Sequence, residues 1–141
     1  VNAFHQTLKE EFPHIQGETV VVPMVPSDVD NVYAPGNRGF DLVRNRLGEK
    51  TAIIAHNDNW AVGFYMSCIK YGVRVPQEVG LVGADDLMVG RILPSPLTTI
   101  VQPIAKMAER CVELVMNPIK NPDLIELFPC QLIERDSSRY K

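Results

Sequence analysis

Apolar residues recur along this chain at helical spacing in some stretches and as short unbroken runs in others. Phe4, Leu8 and Phe12 stand four apart, which predicts an amphipathic helix over residues 2–12 ended near Pro13. Thr19 to Val25, TVVVPMV, is rich in β-branched residues and predicts a strand, with Pro23 fraying it or placing it at an edge. SDVDNVYAPGNRG follows and reads as a loop, because it combines Pro, two Gly and several Asx residues. Phe40, Val43 and Leu47 mark a helix from about residue 37 to 47. TAIIA, Thr51 to Ala55, is a short strand. Asp58 is placed to cap the next helix, whose Ala61, Val62, Tyr65 and Ile69 recur until Gly72 stops it.

VGLVG, residues 79–83, is another apolar run, and Leu97 to Val101 another, separated by a loop through Pro94 and Pro96. Pro103 suits a first helical position, and Ile104, Met107, Ala108, Cys111, Val112 and Val115 form a broad stripe ended at Asn117-Pro118. A last strand is expected within Ile125 to Ile133, interrupted by Pro129, and the polar tail from Asp136 to Lys141 is expected to fray. Short strands alternating with helices of about 10 to 15 residues predict an α/β fold with a parallel sheet flanked by helices. TAIIA and VGLVG lack alternation, which predicts strands covered on both faces.

The 141 residues fit one domain, and 45% hydrophobic with 22% charged residues is enough to build a core. Fourteen Lys and Arg against 17 Asp and Glu leave a net charge of -3, with neither a nucleic-acid footprint nor a polybasic membrane anchor. No apolar stretch approaches the ~18 to 20 residues of a membrane helix. Cys68, Cys111 and Cys130 show no pairing framework. Cys68 and Cys111, within helical patterns, read as small buried hydrophobes in a reducing compartment. The chain starts inside a helical pattern, so it is expected to be cut from something longer.

Ligands in doubly covered parallel sheets collect beyond the carboxyl ends of the strands. Asn57 and Asp58 follow the TAIIA strand, and Asp85 and Asp86 follow VGLVG. Asn57 and Asp85 would open onto one crevice, with Gln102 from a third strand end. A carboxylate accepting two hydroxyls beside carboxamides suits a polyhydroxylated or similarly polar small molecule. On pattern alone, Asn57 and Asp85 fit turn roles as well as binding. Asp58 reads as a helix cap, Asp86 as a local backbone acceptor, Trp60 as packing, and Arg38 and Arg44 as solvated helix charges. Tyr33, in the long loop, reads equally as a pocket wall or a surface aromatic. His5, His14 and His56 share no metal-ligand spacing. The chain has no glycine-rich phosphate loop, no G-x-S-x-G elbow and no dinucleotide fingerprint, and no cofactor is implied.

Several linked motifs, in order, carry a family likeness. They are N-D-x-x-A-x-G from Asn57, G-x-R-V-P from Gly72, V-G-x-D-D from Val82, P-L-T-T-I-x-Q-P from Pro96, and I-E-R-D-S from Ile133. Over about residues 36 to 138 the chain closely resembles the lactose/galactose repressor family. The resemblance implies one lobe, mainly the carboxyl-terminal one, of a type I periplasmic-binding-protein-like domain. It implies a cytoplasmic, dimeric regulator whose small effector, a sugar or nucleobase, sits between two lobes. Operator DNA would be bound only through a helix-turn-helix absent from this chain. Asn57, Asp85 and Gln102 match the family's ligand-contacting polar positions, Tyr33 falls near an aromatic one, and Ile104 matches a position near the pocket. The helix at 103–117 would pack on the other lobe. A secreted solute-binding protein of the same fold is the alternative, and a doubly wound hydrolase or phosphotransferase a more distant one.

Overall fold

A computed structural model describes residues 2–48, 50–118 and 125–140. Four strands form one sheet in the order β1-β2-β3-β4: Thr51–Ile54, Val79–Ala84, Thr98–Val101 and Gln131–Ile133. The first three are parallel, with Thr51 opposite Val79 and Val82 opposite Thr98. β4 departs from the all-parallel expectation: it runs antiparallel to β3, with Ile133 opposite Thr99. Helices are α1 (Asn2–Glu11), α2 (Ala34–Val43), α3 (Asp58–Tyr71), a single turn α4 (Met88–Arg91) and α5 (Ile104–Met116).

The core lies on one side of the sheet. Phe40 of α2, Ala61, Phe64, Tyr65 and Cys68 of α3, and Val79 and Leu81 of β2 are all buried. Burial pushes the Cys68 thiol up to about 12, so it behaves as a small hydrophobe. Cys111 does not follow it: it lies exposed on α5. The expectation of strands covered on both faces holds for β2, where Val79, Gly80, Leu81 and Gly83 are buried, and fails for β1. Along β1, Thr51 and Ile53 are partly buried whereas Ala52 and Ile54 are exposed, the alternation of a strand with one open face. Neither α1 nor α5 has a buried residue. A cleft of about 700 Å³ separates Phe4 and Leu8 of α1 from Ile53 and Ile54 of β1.

Thr19–Val25 is not a strand; it is extended chain without a ladder partner. Two of its backbone groups are met by side chains. The Val25 N–H donates to Asp28 Oδ2 (2.8 Å), and Arg38 Nη2 donates to the Pro23 carbonyl (2.9 Å). Arg38 is therefore no solvated helix charge. Its fork grips the buried Asp28 through both terminal nitrogens, 2.8 and 2.6 Å from Oδ1 and Oδ2. The Arg38 guanidinium, then the Val25 N–H, hold the Asp28 carboxyl below its ordinary value.

Helix α2 starts at Ala34, inside the segment read as a loop. Gly36, one of the two glycines that suggested a loop, serves close packing, and so does Gly63 of α3. A Cβ on Gly36 would lie 1.9 Å from the Trp60 carbonyl oxygen, and one on Gly63 would lie 2.0 Å from that of Tyr33. Backbone meets backbone between α2 and α3, and that contact outweighs poor helix propensity.

Through Tyr140 the tail does not fray. Ser137 is buried; its hydroxyl donates to the Leu81 carbonyl (2.5 Å) and accepts from the Thr98 N–H (2.8 Å). The Tyr140 hydroxyl donates to the Thr51 carbonyl (2.7 Å) and accepts from the Gly80 N–H (2.9 Å). The last strand, expected within Ile125 to Ile133 with a break at Pro129, is confined to Gln131–Ile133; residues 125–130 form no strand.

Two outcomes check this packing. Helix propensity alone would make Gly36→Ala stabilising by about 1 kcal/mol. The Trp60 carbonyl makes it destabilising instead, by about 1 to 3 kcal/mol in urea denaturation. Asp28 has a folded pKa below its ordinary 3.8, so its contribution is present above that value and disappears as pH falls through the folded one. Asp28→Asn should lower the melting temperature at neutral pH, and the difference from wild type should shrink in strong acid.

Candidate functional site

The carboxyl ends of β1, β2 and β3 lie side by side. Asn57 and Asp85 are each three residues beyond the register partners Ile54 and Val82. Asn57 is the N-cap of α3, and its Oδ1 accepts the Trp60 N–H at 3.0 Å. The cap is thus Asn57 rather than Asp58. Its carboxamide nitrogen donates to no described residue. Trp60 packs its ring against His56, with centroids 5.2 Å apart.

Asp85 and Gln102 are brought together directly. Gln102 Nε2 donates to Asp85 Oδ1 at 3.0 Å, and both residues are exposed. Asp85 Oδ2 and the Gln102 side-chain Oε1 have no hydrogen-bond partner among the described residues. The pair therefore presents free acceptors at the strand ends, the arrangement that receives hydroxyl or amino donors. Tyr33 is the N-cap residue of α2 and 37% exposed, with its carbonyl packed against Gly63. No hydrogen bond ties its ring to Asn57, Asp85 or Gln102.

The turn bearing Asp85 is tightly held. Asp85 and Asp86 have φ of 99° and 51°, the left-handed region that side chains rarely adopt. Three successive backbone N–H groups are each satisfied. Asp85 donates to the Ile100 carbonyl (2.9 Å), Asp86 to Thr99 Oγ1 (3.2 Å), and Leu87 to Asp58 Oδ2 (2.7 Å). Thr99 in turn donates its hydroxyl to Asp58 Oδ1 at 2.7 Å. Asp58, the first residue of α3, is buried, and burial is the main cause that raises its pKa.

Asp86 is not the local backbone acceptor read from the pattern. Its carboxylate is gripped by Arg91 and by Arg135, whose Nη2 stands 2.6 Å from Oδ1. These two guanidiniums, Arg91 foremost, hold the Asp86 carboxyl below the usual range. Arg135 also donates to the Leu97 carbonyl (2.8 Å). So of the adjacent acids, Asp86 is occupied within the fold and Asp85 faces outward.

Pattern reading gave Asp58 only a cap's role and passed over Thr99 and Arg135. One signal was available: Thr98-Thr99 interrupts an otherwise apolar buried run, and a buried hydroxyl requires a partner. Among the described residues there is no cluster of three or more metal-ligating side chains, and no helix is long and apolar enough to cross a membrane.

The chain matches the periplasmic binding protein-like domain over residues 2–138. It is 33% identical over 109 residues to the ribose operon repressor of Escherichia coli K12, covering 72% of this chain and 33% of that protein. It is 37% identical over 105 residues to the HTH-type transcriptional regulator GalR of Salmonella typhimurium LT2, covering 72% of this chain and 31% of that one. A LacI-type transcription regulator from Bifidobacterium animalis subsp. lactis superposes with a TM-score of 0.72 at 26% identity, covering 95% of this chain and 47% of that structure. The chain spans about a third of the length of these curated relatives. All three are repressors or transcription regulators. The chain belongs to the periplasmic binding protein-like domain family, as part of an effector-binding domain of the lactose/galactose repressor type.

Proposed function

We propose that this chain is the effector-binding lobe of a ligand-responsive transcriptional regulator and that Asp85 is its principal polar contact. The observation carrying this reading is the exposed Asp85–Gln102 pair, joined at 3.0 Å beyond the ends of adjacent strands. Asp85 Oδ2 and the Gln102 side-chain Oε1 accept hydroxyl or amino hydrogens, and the Asn57 carboxamide nitrogen offers a donor from the neighbouring strand end. Tyr33 supplies an aromatic face once the cleft is closed. The effector is small and polar, a sugar or nucleobase, and it is bound without turnover.

The other wall of the cleft belongs to a second lobe. The apolar face of α5, with Ile104 at 62% and Val115 at 77% exposure, packs there. Each large side chain covered in this way is worth roughly 1.5 to 3 kcal/mol, which fixes the lobes into one unit. The whole protein is a cytoplasmic homodimer that reaches operator DNA through a separate helix-turn-helix. Effector shifts its DNA affinity only through a difference in affinity for the two lobe orientations.

Calorimetry on the full-length protein tests the reading, with ribose, galactose and hypoxanthine as probes. Wild type should bind at least one of the three. Asp85→Ala should weaken that binding by about 1.5 to 3 kcal/mol, roughly ten- to a hundredfold. Wild-type affinity in Asp85→Ala, or a wild type that binds none of the probes, overturns the proposal.

A further inference from the structure

We propose that Asp58 is a positioning residue for the effector site, holding the Asp85–Leu87 turn in its binding shape through the Leu87 N–H and the Thr99 hydroxyl. This rests on the effector-site reading above and adds a residue that does not itself face the ligand.

The case is geometric. Asp85 presents its carboxylate only because its backbone and that of Asp86 sit at positive φ, a strained state for residues with side chains. Such a turn persists only where its surroundings over-determine it. Asp58 supplies that constraint from another element. Its Oδ2 takes the N–H immediately after the strained pair, and its Oδ1 takes the hydroxyl of Thr99, which itself takes the Asp86 N–H. One carboxylate thus fixes two of the three N–H groups, one directly and one through a relay.

Space has been left for it. A Cβ on Gly83, at the end of β2, would fall 2.2 Å from Asp58 Oδ1, so no larger residue fits beside the carboxylate. Placement at the first turn of α3 favours the charged form through the helix dipole. Burial works against it, as do the neighbouring carboxylates of Asp85 and Asp86. No cation bonds Asp58 among the described residues; its charge is held by neutral donors alone. A carboxylate kept in such a place acts as an acceptor for two donors at once. An amide of the same shape accepts one and leaves the other unmet.

The experiment uses the full-length protein and four variants. Hydrogen–deuterium exchange, read in peptides covering Asp85–Met88, reports the turn without any ligand. Ribose titration, or galactose or hypoxanthine if wild type prefers it, reports the site. Asp58→Asn and Thr99→Val should each speed exchange in this segment by about tenfold or more, with the α3 amides near Cys68 unchanged. Both should weaken probe binding by about tenfold, the equivalent of one hydrogen bond to a buried acceptor. Thr99→Ser keeps the hydroxyl and should restore both readings to near wild type. A merely structural role would lower melting temperature and speed exchange everywhere, the α3 amides near Cys68 included. If Asp58→Asn fails to fold, the Thr99→Val and Thr99→Ser pair decides alone. Unchanged exchange in the segment overturns the clamp. Faster exchange with unchanged probe affinity, while Asp85→Ala loses binding, overturns the positioning role. If Asp85→Ala binds as wild type, the effector-site reading fails instead, and the exchange measurement still decides whether Asp58 holds the turn.

Discussion

A backbone that turns away from a buried strand must find acceptors for its N–H groups at once, and this requirement organises the end of β2. Asp85, Asp86 and Leu87 donate in succession to a main-chain carbonyl, a hydroxyl and a carboxylate. The three acceptors come from β3 and α3, so the turn exists only when the sheet has formed and α3 has docked. Local propensity does not favour it, since two adjacent residues with side chains sit at positive φ. Tertiary structure imposes it, and the polar pair at the strand ends inherits its geometry from that imposition.

The two adjacent acids, alike in sequence, have opposite fates for the same reason. Asp86 turns back toward Arg91 and Arg135 and becomes part of the framework. Asp85 turns outward and meets Gln102. Their different surroundings follow from the pleat and the turn, which send consecutive side chains in different directions. A third acid, Asp58, is buried behind them and held by neutral donors. Three carboxylates close together would repel strongly if all were dry. Solvent at Asp85 and guanidiniums at Asp86 relieve two of them.

Much of the sheet was legible because its strands are short apolar runs of fixed length: β1, β2 and β3 fall within a residue or so of their expected bounds. Asp85 and Gln102 were legible as strand-end residues, and the structure joins them. The misreadings share a cause. Gly36 looked like a loop residue, but its missing side chain serves the α2–α3 contact, which no local window reveals. Thr19–Val25 had strand composition, yet composition does not supply a hydrogen-bonding neighbour. Arg38 looked like surface charge until Asp28 was found ten positions away. The tail looked free because Ser137 and Tyr140 reach carbonyls more than fifty positions back. Long-range polar pairing leaves no periodic trace in a sequence.

The chain leaves the sheet after β3 and comes back as β4, and each passage is tied to the same turn. Gln102, the residue after β3 and two before α5, is bonded to Asp85; Arg135, two residues past β4, is bonded to Asp86. The direction in which the chain leaves for α5 is therefore set beside a residue that is itself held by Asp85. Asp85–Asp86 is in this sense a fastening point: the exit from β3 and the return past β4 are pinned to two adjacent residues of one turn.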